Sequence, residues 1–258
     1  MGHPSLDLES KTAVVIGGTS GIGLALTKGL AEAGANVVPS SRRGAHVENA
    51  AAAVREMGRL SLAVPCDVSD RASLETLRDA VCGEFGAIDI LVNCAGTTKR
   101  TPILEMSEQD WNSILDTNLN GTLRACQVFG HKMIERKRGR IINIASLSSF
   151  AAWNGVAAYG ASKSGVASLT KSLAIEWAAH GVCVNALVPG VFRTQMNSVL
   201  LDDTPRGQEI LLRTPMRRFG QIEELVGAVV FLASDAASFV TGHLLVVDGG
   251  FLASGVNQ

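Results

Sequence analysis

The sequence predicts an α/β protein built on one doubly wound sheet, seven parallel strands with helices on both faces. Three observations predict it. Short apolar runs alternate with longer helical patterns along the chain. The 258 residues, 47% of them apolar, suffice for one large core. No linker, repeat or low-complexity stretch interrupts the alternation, so residues 1–258 read as a single domain.

The elements come in order. Thr12–Ile16 is a short apolar run, the pattern of a strand buried on both faces. A glycine-rich turn and a helix through Ala33 come next. Asn36–Ser40 reads as the second strand, Leu60–Val64 as the third and Ile88–Val92 as the fourth. Helices over Ala45–Met57 and Ala72–Phe85 fill the intervals. Ser107 and Asp110 open a helix predicted to run unbroken to Lys137. Arg140–Ala145 is the fifth strand and Val156–His180 a long helix. Val182–Val188 is the sixth strand, and a helix over Ile222–Ala233 precedes the seventh, Leu244–Val247. Phe192–Pro215 is too long for an ordinary connection, which predicts a substrate-binding loop near residues 192–215.

Charge and composition narrow the partners. A net charge of −1 gives no reason to expect nucleic acid or an anionic membrane. The cluster Arg136-Lys137-Arg138-Gly139-Arg140 fits a helix C-terminus meeting the dipole. Met1–Lys11 is polar and charged, unlike a signal peptide, and no apolar run reaches bilayer length. Five scattered cysteines without a Cys-x-x-Cys pair predict reduced thiols and a cytoplasmic protein. The five histidines show no ligand spacing, so no metal site is expected.

Two motifs carry chemistry. Gly17-Gly18-Thr19-Ser20-Gly21-Ile22-Gly23 follows the first strand and opens the first helix. Glycines there allow a tight turn and let a pyrophosphate approach backbone N–H groups at a helix N-terminus. The other motif is Tyr159, the single tyrosine, four residues before Lys163. That spacing sets both side chains on one helix face, where an ammonium favours the phenolate. Bringing a tyrosine from about 10 to about 7 requires roughly 4 kcal/mol. One charge at about 5 Å in a dielectric of about 20 supplies roughly 3 kcal/mol. Tyr159 is therefore a candidate proton donor and acceptor.

The Gly-x-x-x-Gly-x-Gly spacing, taken with Tyr159-x-x-x-Lys163, resembles the short-chain dehydrogenase/reductase family from Lys11 to Gly250. The resemblance implies the Rossmann arrangement and a role for each matching piece. Gly17, Thr19, Ser20, Gly21, Ile22 and Gly23 correspond to the cofactor turn. Asp67 and Val68 correspond to the adenine contact. Asn93, Ala95 and Gly96 fall in the family's Asn-Asn-Ala-Gly, with Cys94 replacing the second Asn and Ile16 standing where Thr is common. Asn118 matches the helix-borne catalytic Asn, expected to help hold a water that links Lys163 to solvent. Ser146, thirteen residues before Tyr159, matches the catalytic Ser, and Ser148 and Ser149 fit that spacing less well. Pro189, Gly190, Val191 and Thr194 match the nicotinamide-side loop, and Asp248-Gly249-Gly250 the C-terminal signature. Tyr159 and Lys163 also join the cofactor set, since Lys163 is expected to hold the nicotinamide ribose. Homotetramers are common in this family.

The second strand ends in Ser41-Arg42-Arg43 without the acidic residue that holds a ribose 2′-hydroxyl. Ser41 can hydrogen-bond a 2′-phosphate, and either arginine can pair with it, so NADP(H) is expected over NAD(H). The implied reaction is hydride transfer between a nicotinamide and a secondary alcohol or ketone. Tyr159 exchanges the proton and Ser146 bonds the substrate oxygen. Lys99, Arg100, Trp153, Asn154 and Arg193 belong to a polar, basic inventory that suits a hydroxylated or anionic small substrate, and the stretch Cys94–Arg100 with the C-terminal region resembles the gluconate 5-dehydrogenase branch of the family, which implies a sugar acid such as gluconate. The alternatives are a 3-oxoacyl-carrier-protein reductase, a broad carbonyl reductase, or a non-catalytic dinucleotide-binding regulatory protein.

Overall fold

The computed structural model describes residues 3–193 and 201–255. Its strands are β1 (Thr12–Ile16), β2 (Asn36–Ser40), β3 (Ile90–Asn93), β4 (Gly139–Ile144), β5 (Val182–Pro189) and β6 (Leu244–Val247). They form one sheet in the order β2-β1-β3-β4-β5-β6, with every pairing parallel. The winding direction reverses between β1 and β3. That reversal opens a crevice at the carboxyl edge, where sheets of this kind take ligands.

The helices are α1 (Gly21–Glu32), α2 (Gly44–Glu56), α3 (Arg71–Phe85), α4 (Glu108–Leu115), α5 (Gly121–Glu135), α6 (Ala157–Trp177), α7 (Pro205–Arg213) and α8 (Val226–Ala233). Successive strand residues point to opposite faces. Val14, Ile16 and Leu91 accordingly pack with α3, α5 and α6. Ala13, Val15, Ile90 and Val92 pack with α1, α2 and α8. Helix ends are set by side chains: Asp70 accepts from the Ala72 amide at α3, and Ser107 from the Asp110 amide at α4.

Two expectations are corrected. The sheet has six strands among the described residues, not seven, because Leu60–Val64 does not join it. The segment does run beside β2. Val37 donates to the Leu60 carbonyl at 3.2 Å and Cys66 donates to the Ser41 carbonyl at 3.0 Å. The alternate position between Val37 and Ser41 is Pro39, which has no N–H to give. Side chains take over part of the work: Ser40 Oγ donates to the Val64 carbonyl and Leu60 N to Asn36 Oδ1.

The helix expected to run unbroken from Ser107 to Lys137 is interrupted. α4 and α5 are joined by one π-helical turn, Asp116–Asn120. A π-turn inserts an extra residue, rotates the downstream helix about its axis and often marks a functional position. Here it carries Asn118.

Candidate active site

The glycine turn sits at the carboxyl end of β1. Gly17 has φ +83°, and a Cβ on it would lie 2.5 Å from the Ala95 amide nitrogen, so the β1 and β3 loops meet through bare backbone. A Cβ on Gly23 would overlap the Gly17 carbonyl oxygen, and this holds the first turn of α1 against the loop. Ser20 precedes that turn with its side chain making no cap bond, and nothing lies within 4 Å of a Cβ placed on Gly21. The first turn of α1 is therefore uncapped and open at Gly21, the arrangement that receives a pyrophosphate.

At the β2 end, Thr19 Oγ1 donates to Ser41 Oγ at 2.9 Å, which leaves the Ser41 proton free to donate. Arg42 and Arg43 are exposed, and neither forms an ion pair among the described residues. Burial works to raise the Asp67 pKa, but the Ser69 hydrogen bonds and the Arg42 and Arg124 charges outweigh it and hold the carboxyl below its ordinary value. Val68 is buried against Gly121, the first residue of α5.

Along the β3 loop, Cys94 N donates to the Ile16 carbonyl at 2.8 Å, so backbone does the tying despite the two side-chain departures. Burial pushes the Cys94 thiol up to about 11, which leaves it inert. Asn93 Nδ2 donates to Asn143 Oδ1 at 2.9 Å, and Asn143 to Thr170 Oγ1 at 3.0 Å, a buried chain joining β3, β4 and α6. Asn93 Oδ1 is buried without a partner, and Asn93 lines a narrow crevice with Ile16, Val68, Ala95 and Thr117.

The candidate reactive groups converge where β4 ends. Ser146 leaves the strand in an extended conformation and caps the turn Leu147–Ser149, its Oγ accepting from Ser148 N at 3.1 Å. The Ser146 side chain lies close enough to the Tyr159 phenol to work toward lowering its pKa. Lys163 is 4% exposed, lies 5.7 Å from the Tyr159 ring centre and donates to the Ile144 carbonyl at 2.6 Å. A Cβ on Gly96 would stand 3.4 Å from Asn118 Oδ1 and 3.7 Å from Lys163 Nζ, so β3, the π-turn and α6 meet there. Asn118 is fully buried. It accepts from Thr97 N at 2.7 Å and donates to the Thr97 carbonyl at 2.9 Å and to Ser162 Oγ at 3.0 Å. Ser149 Oγ donates to the Lys163 carbonyl, a structural bond rather than a reactive one.

The electrostatics differ from the simple expectation. Burial drives the Tyr159 phenol above its ordinary value, and the Ser146 side chain offsets this only in part. Burial also pulls the Lys163 amine down to about 8. Both groups are desolvated together, so Lys163 alone does not acidify Tyr159.

On the substrate side, Gly190 packs on Asp248, whose carboxylate accepts from Gly250 N and Leu252 N and fixes the turn after β6. Pro189 ends β5, with Val191 just beyond. Thr194, expected at the nicotinamide side, lies outside the described residues. Lys99 is taken by Asp110 at 2.7 Å and Arg193 by a two-pronged pair with Asp202, whereas Arg100 lies against Gly155. Trp153 and Asn154 line an open cavity with Arg206, Glu209, Arg213 and Phe251. Sequence reasoning missed Arg206, Arg213 and Phe251. The signal for the helix was present: positions 206, 209, 210 and 213 repeat at one-face spacing after a Thr204-Pro205 start.

A helix N-terminus without a side-chain cap and, at the β2 end, two exposed arginines without an ion pair among the described residues fit a bound dinucleotide phosphate. Together they define a nicotinamide-dependent oxidoreductase acting on CH–OH groups. The chain belongs to the short-chain dehydrogenase/reductase family. The family profile described as "Enoyl-(Acyl carrier protein) reductase" matches residues 17–252. The chain is 42% identical to gluconate 5-dehydrogenase of Gluconobacter oxydans (strain 621H), over 98% of this chain and 100% of that protein. It is also 42% identical to 2-dehydro-3-deoxy-D-gluconate 5-dehydrogenase of Bacillus subtilis (strain 168), over 97% and 98%. The crystal structure of a gluconate 5-dehydrogenase from Burkholderia cenocepacia J2315, in complex with NADP and tartrate, superposes with a TM-score of 0.94. It is 39% identical over 97% of this chain and 98% of that one.

Proposed function

We propose that this chain is an NADP-dependent oxidoreductase that interconverts a secondary alcohol and ketone on a sugar acid such as gluconate. The observation that carries it is the meeting of Ser146, Tyr159, Lys163 and Gly96 at the carboxyl edge, beside an open phosphate cradle. The bound NADP(H) would supply or accept the hydride. Gly21, Ile22 and Gly23 amides would hold its pyrophosphate, and Ser41, Arg42 and Arg43 its 2′-phosphate. Asp67 and Val68 would border the adenine, Asn93, Ala95 and Gly96 the middle of the crevice, and Pro189, Gly190, Val191 and Thr194 the far end.

Tyr159 gives its proton to the substrate oxygen in reduction and takes it back in oxidation. Ser146 donates a hydrogen bond to the same oxygen as charge builds on it. Lys163 holds the ribose beside Tyr159. Asn118 acts through Thr97 and Ser162, as a positioning residue for the β3 loop. Similarity to sugar-acid dehydrogenases over the whole chain supports this substrate class over a carrier-protein thioester. An intact Ser146, Tyr159 and Lys163 argues against a non-catalytic role.

The chain works as one unit, with residues 192–215 as its substrate loop. Free cysteines at all five positions support a cytoplasmic setting. Exposed Ile175 on α6 and Phe239 before β6, 82% and 103% accessible, support pairing of copies into a homotetramer. Sedimentation checks this last point, and a monomer would remove it.

The function is tested by following NADP reduction with aldonates, and NADPH oxidation with keto-sugar acids, acetoacetyl thioesters and diketones. Sugar acids turn over with wild type, and Tyr159→Phe loses about 10²- to 10⁴-fold in kcat. Turnover of thioesters alone would remove the sugar-acid reading.

A further inference from the structure

The cavity between α7 and the loop 151–154 has an unusual lining. Trp153 and Phe251 stack with ring centres 5.5 Å apart and planes 20° from parallel. The Arg206 guanidinium lies 5.6 Å over the Trp153 ring and that of Arg213 4.9 Å over Phe251. Burial and the nearby Arg100 charge both lower the Arg206 pKa, with Glu209 working against them. Neither Arg100, Arg206 nor Arg213 forms an ion pair among the described residues, and residues 194–200 contain no acidic side chain. Glu209 is therefore the one carboxylate in a lining with two guanidiniums, and the Arg100 charge acts on Arg206 as well. Trp153 Nε1 is buried without a hydrogen-bond partner, a further donor awaiting an acceptor.

Position adds to composition. The lining comes from segments that come after β4, β5 and β6 on the carboxyl edge, at the opposite end of the sheet from Ser41. The wall at 151–154 belongs to the loop between Ser146 and Tyr159, which ties the cavity through the chain to the candidate reacting groups. Each guanidinium lies over an aromatic ring, and neither makes an ion pair among the described residues, so its N–H groups can serve a planar oxyanion.

We infer that this cavity is a carboxylate subsite in which Arg206 and Arg213 of α7 hold the acid end of the substrate, with Trp153 Nε1 donating alongside. The inference rests on the sugar-acid reading above and deepens it. Because α7 carries both arginines, an acid group would draw this helix onto the loop that joins Ser146 to Tyr159. An uncharged polyol of the same length leaves the guanidiniums unpaired, so acids are selected over polyols.

The probe is tartrate, with threitol as its uncharged counterpart, monitored by tryptophan fluorescence. Tartrate gives a saturable change in wild type, absent in Trp153→Phe, and threitol gives none. Arg206→Met and Arg213→Met weaken tartrate roughly 10- to 100-fold, the worth of one charge-assisted hydrogen bond, and Arg206→Lys recovers part of the loss. In kinetics the KM for the sugar acid rises by a similar factor and kcat changes far less. A wild type without a tartrate response, an equal response to threitol, or methionine variants that match wild type would overturn the subsite. Circular dichroism of each variant separates misfolding from lost binding, and the lysine variant decides if a methionine variant unfolds. Wild type that binds tartrate but oxidises no sugar acid would sink the proposed function and leave the subsite standing.

Discussion

Replacing Lys163 by Met should make the protein more stable near neutral pH while removing its activity. Lys163 is buried, and burial holds its amine at about 8 instead of 10.5. At roughly 1.4 kcal/mol per pH unit, that gap costs the folded state about 3 kcal/mol whenever the amine is charged. Below about 8 the lysine is protonated in both states and the penalty is fully present. Between about 8 and 10.5 the unfolded chain holds a proton that the folded chain has released, so wild-type stability rises with pH. Methionine fills much the same volume without charge. It also strips the Ile144 carbonyl of the 2.6 Å bond it accepts. That loss is about 1 kcal/mol. The balance makes Lys163→Met about 2 kcal/mol more stable at about pH 7 and about 1 kcal/mol less stable at about pH 10.5. The assay is urea denaturation of both proteins across that range, with turnover measured in parallel. The Tyr159 titration is common to both and drops out of the difference. A variant less stable than wild type at neutral pH, or a difference that stays flat with pH, would refute the argument that burial is what tunes this lysine.

The remaining predictions concern neighbouring links. Arg42→Ala raises the NADP Michaelis constant roughly 10- to 100-fold and changes that for NAD far less; an unchanged NADP constant means Arg42 does not read the phosphate. Gly23→Ala drives a methyl into the Gly17 carbonyl, so thermal melts show about 1–3 kcal/mol lost and NADPH titrations show binding abolished. Asn118→Ala leaves the Thr97 amide and carbonyl without their side-chain partner, at about 3 kcal/mol by denaturant titration. In single-turnover kinetics the same variant slows the chemical step, because the Gly96 loop is no longer pinned.

The sequence by itself determined the elements whose cause is local. β1 lies where an apolar run places it, because a strand buried on both faces needs such a run, and β2 and β6 also fall at the predicted positions. The glycine turn and the Ser146, Tyr159 and Lys163 spacing were legible for the same reason: a tight turn and a helix face are set by residues a few positions apart. The features that tertiary structure alone decided depend on groups distant in sequence. Pro39 takes a donor away from the partner segment at Leu60–Val64, a consequence visible only once the two lie side by side. The π-turn at Asn118 holds Thr97 and Ser162, twenty-one and forty-four residues away in sequence, and no helical period announces it. The pKa values of Tyr159 and Lys163 reflect how deeply both are buried, and a four-residue spacing carries no information about depth. The basic cavity arises likewise, since Trp153, Arg206, Arg213 and Phe251 come from three separate connections that only the parallel sheet brings to one edge.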